Sequence, residues 1–133
     1  MIKIEHIGIA VKDIEESNKV FAKIFGKKIY KSETVESEGV VTSFFQVGEN
    51  KLELVSATNS ESPIAKYLEK NREGMHHIAF DVEDIEEEMK RLQNEGIRNL
   101  NDKPKRGADN KLVCFLHPKD TNGVLIELCQ EIK

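Results

Sequence analysis

At 133 residues, with 38% hydrophobic and 33% charged side chains and a net charge of −4, the chain has the size and balance of one soluble globular domain. No apolar run approaches the ~20 residues of a membrane-spanning helix, and the acidic balance gives no footing for nucleic-acid binding. Cys114 and Cys129 lie in apolar segments without metal-finger spacing, which predicts buried, reduced thiols. The absence of a charged-then-apolar leader predicts a cytoplasmic protein.

Taken in chain order, the first residues read as a strand running to Val11. Asp13 then caps a helix, with Glu16 three residues on. Ile14, Phe21, Ile24 and Phe25 line one face of that helix, and Gly26 ends it. Strands are predicted at Lys27–Lys31, Val40–Val47 and Lys51–Ser56, with a hairpin turn at Gly48-Glu49-Asn50. Ser62-Pro63 opens a short helix, Ser as cap and Pro in the first turn; Ile64, Tyr67 and Leu68 form its apolar face and Gly74 closes it.

From His77 the chain repeats itself. His77–Glu87 matches His6–Glu16 at an offset of 71 residues without a gap, sharing His, Ile, Val, Asp, Ile, Glu and Glu. Asp84 and Glu87 repeat the cap signal, Ile85, Met89 and Leu92 repeat the apolar face, and Gly96 repeats the stop. Strands follow at Ile97–Leu100, Leu112–His117 and Val124–Cys129, with a turn at Asp120–Gly123. The expected fold is therefore α+β and a single domain. It comprises a βαβββ module over residues 1–57, a connecting helix within 58–73 and a second βαβββ module over 74–133. An internal pseudo-twofold relates the modules, which form a curved mixed sheet around a central site.

Each half carries one His near the start of its first strand and one Glu in its last. Leu52-Glu53-Leu54 corresponds to Ile126-Glu127-Leu128, and strand alternation puts each Glu on the face opposite its flanking aliphatics. Either His alone reads more readily as a core histidine, and either Glu as a solvated one. Their pairing in a repeat favours one site of two His and two Glu. Neutral imidazoles and carboxylates are ligands for Zn, Mn, Fe, Co and Ni, and a set with charge −2 balances a divalent ion. His76 is expected to point to the opposite face, as a packing or supporting residue, and His117 to sit in a turn.

The arrangement resembles the vicinal oxygen chelate superfamily, which includes glyoxalase I and the bleomycin-binding proteins. Within it the chain is most similar to the methylmalonyl-CoA epimerases. The resemblance rests on Glu5–Val11, Ser62–Lys70, Gly74–Phe80, Phe115–Lys119 and Gly123–Leu128, the Ser-Pro-Ile-Ala-Lys and His-Pro-Lys blocks being the most specific. It implies metal ligation by His6, Glu53, His77 and Glu127, with one divalent ion, cobalt or else Mn, Ni or Zn. It also implies proton transfer at C2 of a CoA thioester through a metal-stabilised enolate, with Glu127 as one of two acid/base groups flanking C2 and a metal-bound water as the first choice for the other. Some bacterial epimerases have a second Glu on the strand where Thr42 stands here, and Thr cannot act as a base near neutral pH. Gln46 and Lys119 are the substrate-contact candidates, Lys119 being taken from a basic set that also contains Lys66, Lys70, Arg72, Lys105 and Arg106. The resemblance implies a homodimer as well. A glyoxalase-I-like lyase using the same metal is the alternative activity, and a metal-free binding protein is the alternative from another class.

Overall fold

The computed structural model describes residues 1–133. The first module comprises β1 (Lys3–Ala10), α1 (Ile14–Phe25), β2 (Lys31–Val35), β3 (Val40–Val47) and β4 (Asn50–Ala57). After α2 (Pro63–Lys70) come β5 (Gly74–Asp81), α3 (Ile85–Asn94), β6 (Lys105–Arg106), β7 (Lys111–Phe115) and β8 (Ile126–Glu131). Both modules thus read βαβββ, as the repeat predicts. The chain forms two compact units, residues 7–76 and residues 1–6 with 77–133, so β1 and β5 each run through both.

In the unit of residues 7–76 the strand order is β2-β3-β4-β1. The β3–β4 ladder is antiparallel along its whole length, from Val40↔Ala57 to Val47↔Asn50. Gln46 closes its turn by donating its amide to the carbonyls of Gly48 (2.8 Å) and Asn50 (3.2 Å). One face packs Val11, Phe45 and Leu54 against Ile14, Phe21 and Phe25 of α1; another cluster joins Ala10, Val40 and Val55 to Ile64 of α2. Asp13 accepts from the Glu16 amide, and Ser62 from that of Ala65, so both expected caps are made.

In the other unit the order is β1-β5-β8-β7-β6. β8 pairs parallel with β5 (Ala79↔Glu127) and antiparallel with β7 (Phe115↔Glu127), which makes the sheet mixed. Asp84 caps α3 through the Glu87 amide. The apolar face of α3, Ile85 and Met89, packs with Val82, Cys114, Leu116 and Leu128. By alternation, the opposite face of these strands carries His77 and Ala79, Glu127 and Cys129, and Lys111, Val113 and Phe115.

Several predicted boundaries move. Residues 27–30 are not a strand: Gly26 leaves α1 in the left-handed region, the Lys27 amide still bonds back to Ala22, and Ile29 packs beneath α1. The ladder begins only at Lys31↔Phe44. Residues 97–100 make a single bridge, Asn99↔Leu116. The Ile97 amide is held by the end of α3 and that of Arg98 by the Asp120 carboxylate, so pairing with the neighbouring strand is limited to the Leu100 amide on the Phe115 carbonyl and the His117 amide on that of Arg98. The second strand of the second half is instead the two-residue β6. β8 starts at Ile126 rather than Val124, because Thr121 accepts the Val124 amide into the preceding turn. α2 ends on Asn71, whose side chain bonds the Tyr67 carbonyl, and Gly74 already belongs to β5.

One glycine is fixed by both conformation and space. Gly39 turns the chain from β2 into β3 at φ 64°, and a Cβ there would stand 2.8 Å from the Ser62 Cβ and 2.9 Å from the Asn59 side-chain nitrogen. Gly39→Ala is expected to lower unfolding free energy by roughly 1–3 kcal/mol from backbone strain alone. Urea denaturation of the two proteins measures this; Gly48→Ala, where nothing lies within 4 Å, should cost less.

Candidate metal centre

Three of the four expected ligands meet. His6 enters from β1, His77 from β5 and Glu127 from β8, and the parallel register that sets Ala79 opposite Glu127 places His77 and Glu127 on one face. All three side chains are buried, and one ligating atom from each lies within 4.8 Å of the others. The His6 and His77 Nε2 atoms are 3.1 Å apart. His77 Nε2 is 3.5 Å from Glu127 Oε1, and His6 Nε2 is 3.9 Å from Glu127 Oε2. The imidazoles stand edge to face, 5.2 Å between centroids, and Phe115 packs against the His77 ring at 6.0 Å.

This donor set fits a divalent ion. Two ligands each about 2.1 Å from one metal, at tetrahedral or octahedral angles, stand roughly 3.0–3.4 Å apart. The observed separations lie at or just beyond that spacing. Both nitrogens that face each other are Nε2, and each carboxylate oxygen is turned towards a different histidine. No thiolate belongs to the cluster, which suits an ion with exchangeable positions better than a closed structural site.

Glu53 lies in the unit of residues 7–76. It is buried on β4 opposite Phe44, while its neighbours Leu52 and Leu54 pack on the α1 side, as alternation predicts. Thr42, on the same side of β3 as Phe44, is 1% exposed and donates its hydroxyl to the Glu33 carbonyl at 3.3 Å. Gln46 is partly buried with its amide committed to the β3–β4 turn, leaving only the side-chain oxygen for another partner. His76 packs edge to face on the Tyr67 ring, 4.7 Å away, in keeping with its expected packing role.

Lys119 is exposed in a 3-10 turn, Pro118–Asp120, whose first amides are capped by His117: Nδ1 accepts from the Lys119 amide at 3.2 Å. Asp120 holds that turn to the segment after α3, taking both the backbone amide and the guanidinium of Arg98. These bonds lower the Asp120 carboxyl to about 2. A depressed carboxylate stabilises the fold above its unfolded value of 3.8, and the contribution disappears as pH falls towards 2.

Two polar groups beside the cluster were not anticipated. Glu5 is 2% exposed, and Lys111 is 7% exposed on β7. Glu5 Oε1 is 3.2 Å from His6 Nδ1, and Lys111 Nζ is 4.0 Å from Glu5 Oε2. Strand alternation assigns a residue next to a ligand to the other face, so Glu5 carried no sequence signal.

A family model described as the Glyoxalase/Bleomycin resistance protein/Dioxygenase superfamily matches residues 5–115. The ethylmalonyl-CoA/methylmalonyl-CoA epimerase of Cereibacter sphaeroides is 40% identical, over 96% of this chain and 97% of that protein. YqjC of Bacillus subtilis, an uncharacterised protein, is 38% identical over 98% of this chain and 93% of its own length. A solved methylmalonyl-CoA epimerase, in complex with methylmalonyl-CoA and an ammonium ion, superposes with a TM-score of 0.94 at 34% identity, covering 98% of this chain and 95% of that one.

The cysteines supply a test of the packing around the cluster. Burial raises the Cys114 thiol and pushes that of Cys129 far up, Glu127, Glu5 and Asp81 adding to the effect on Cys129. Neither thiol should react with a disulfide reagent in the native protein at mildly alkaline pH, and both should react in denaturant. Titration of the Asp120 carboxyl by NMR should give a midpoint of about 2, returning towards 3.8 in Arg98→Ala.

Proposed function

The chain belongs to the glyoxalase, bleomycin resistance protein and dioxygenase superfamily and is an isomerase of methylmalonyl-CoA epimerase type, and from that premise we propose that it interconverts the two configurations at C2 of methylmalonyl-CoA with a divalent metal ion held by His6, Glu53, His77 and Glu127. The buried His6–His77–Glu127 cluster carries this reading: two imidazoles and a carboxylate converge where relatives named as epimerases share the fold. Glu53 is proposed as fourth ligand from its repeat equivalence to Glu127 and its burial.

The C2 proton of a 2-carboxyacyl thioester is acidic because the resulting carbanion delocalises into the thioester carbonyl. A divalent cation in the site would supply Lewis-acid stabilisation of that developing charge. The remaining work falls to the chain's own groups. Glu127, buried next to two imidazoles, exchanges the proton on one face of C2; inversion needs a second proton donor on the opposite face, and a water molecule oriented by Gln46 is proposed for it. Phe115, packed edge to face on the His77 ring, supports that ring from one side. Thr42 does not carry a proton: its hydroxyl is not basic, and it bonds the Glu33 carbonyl. Gln46 and Lys119 are retained as substrate contacts, Gln46 through its side-chain oxygen and Lys119 through an exposed cation suited to the anionic end of a CoA thioester. Cobalt is the metal proposed first. A homodimer is part of the same reading, supported by the exposed Met1, Ile2 and Ile4 around the start of β1.

The protein loaded with cobalt should exchange the C2 proton of methylmalonyl-CoA in deuterated water, and a chelator should stop the exchange until metal is restored. Failure with Co, Mn, Ni and Zn alike, or turnover of a methylglyoxal hemithioacetal instead, overturns the epimerase. Glu127→Gln should keep the fold by circular dichroism and lose on the order of 100- to 10,000-fold in turnover.

A further inference from the structure

We propose that Glu5, steadied by Lys111, is a positioning residue that fixes His6 in the tautomer presenting its Nε2 lone pair to the His77–Glu127 cluster. The inference rests on the reading of that cluster as a metal site, but its central claim concerns the ring of His6 in the metal-free protein.

A neutral imidazole carries its proton on one nitrogen and a lone pair on the other, and only the lone pair binds a cation. His6 turns Nε2 towards His77 Nε2 at 3.1 Å and Glu127 Oε2 at 3.9 Å, while its Nδ1 faces Glu5 Oε1 at 3.2 Å. An ionised carboxylate has only acceptors, so the His6–Glu5 contact is a hydrogen bond only when Nδ1 holds the proton. That leaves Nε2 bare and aimed at the cluster. In the opposite tautomer the Nδ1 lone pair would face the Glu5 oxygen, and Nε2–H would occupy the direction a ligand must leave open.

Glu5 is placed to impose this choice because it is itself constrained. At 2% exposure its carboxylate has little solvent to satisfy it, and its second oxygen lies 4.0 Å from Lys111 Nζ. Lys111 reaches it from β7, where the Phe115↔Glu127 and Val113↔Cys129 register puts Lys111 on the same face as Glu127 and Cys129. A buried ammonium is retained only where it is paired. Lys111 and Glu5 therefore compensate each other through Oε2, while Oε1 faces the His6 ring. A carboxylate that accepts from the second nitrogen of a ligand histidine orients the ring and raises its basicity, and its loss typically costs about 10–100-fold in metal affinity.

Two measurements on Glu5→Ala, Glu5→Gln and the parent test this. In the metal-free proteins, ¹⁵N shifts of the His6 ring report the tautomer directly. The parent should show Nδ1 protonated and Nε2 bare; Glu5→Ala should show a mixture or the reverse, and Glu5→Gln, which keeps an acceptor oxygen, should retain the parent's tautomer. Titration calorimetry with Co²⁺ should then show affinity lowered by about 10–100-fold in Glu5→Ala and by less in Glu5→Gln. A parental tautomer in Glu5→Ala overturns the proposal, as does a parent protein whose His6 carries its proton on Nε2. If Glu5→Ala fails to fold, Glu5→Gln decides: loss of the Nδ1–H form despite the retained acceptor overturns the role. A parent that binds no Co²⁺ yet shows the expected ring signals defeats the metal reading and leaves the tautomer assignment standing.

Discussion

A carboxylate taken out of water has to find compensation within the protein, and that constraint organises the unit made by residues 1–6 and 77–133. Glu5 and Glu127 are both nearly inaccessible, with Lys111 buried on the same sheet face as Glu127. The cost of removing an ion from water amounts to several kcal/mol even after relaxation. Glu127 is set against two imidazoles and Glu5 against one imidazole and an ammonium. A metal ion bound by the cluster would complete the balance for Glu127, whereas Glu5 already has its cation. On the proposed reading the two acids divide their work: Glu127 serves the chemistry and Glu5 the orientation of a ligand.

The sheet makes this division possible by separating its faces. β5, β8 and β7 give α3 an apolar surface of Val82, Leu128, Cys114 and Leu116, and every second residue is thereby sent to the other side. His77, Glu127 and Phe115 arrive on that side through register alone. Parallel pairing of β5 with β8 matters here, because it sets His77 one step from the pair Ala79↔Glu127 instead of sliding the carboxylate along the strand. Cys129 on the polar face and Cys114 on the apolar one are small, inert fillers of both layers.

Much of this was legible in the sequence because it repeats there. The caps Asp13 and Asp84, the glycine after α1, Ser62-Pro63 and the bounds of β3 are all local signals, and each appears in the structure where it was expected. His6, His77 and Glu127 were selected by internal correspondence, which no single-residue argument would have supplied. What was not legible depended on tertiary partners. The segment 97–100 has strand-like composition, but its first two amides, of Ile97 and Arg98, are taken by α3 and Asp120, and the ladder passes instead to two basic residues, Lys105 and Arg106. Glu5 was hidden by the alternation rule that found Glu53 and Glu127, and Lys111 looked like any surface lysine.

Arg98 and Asp120, twenty-two residues apart, tie the exit of α3 to the turn that precedes β8, the strand bearing Glu127. His6, His77 and Glu127 themselves are drawn from three widely separated stretches of chain. During synthesis the first histidine emerges early and waits through the making of the whole 7–76 unit before its partner appears, and the carboxylate comes later still. A nascent chain has all of residues 7–76 in place while His6 has nothing to meet. The site is thus a late product of translation, and a chain interrupted before β8 carries the histidines without the acid that joins them.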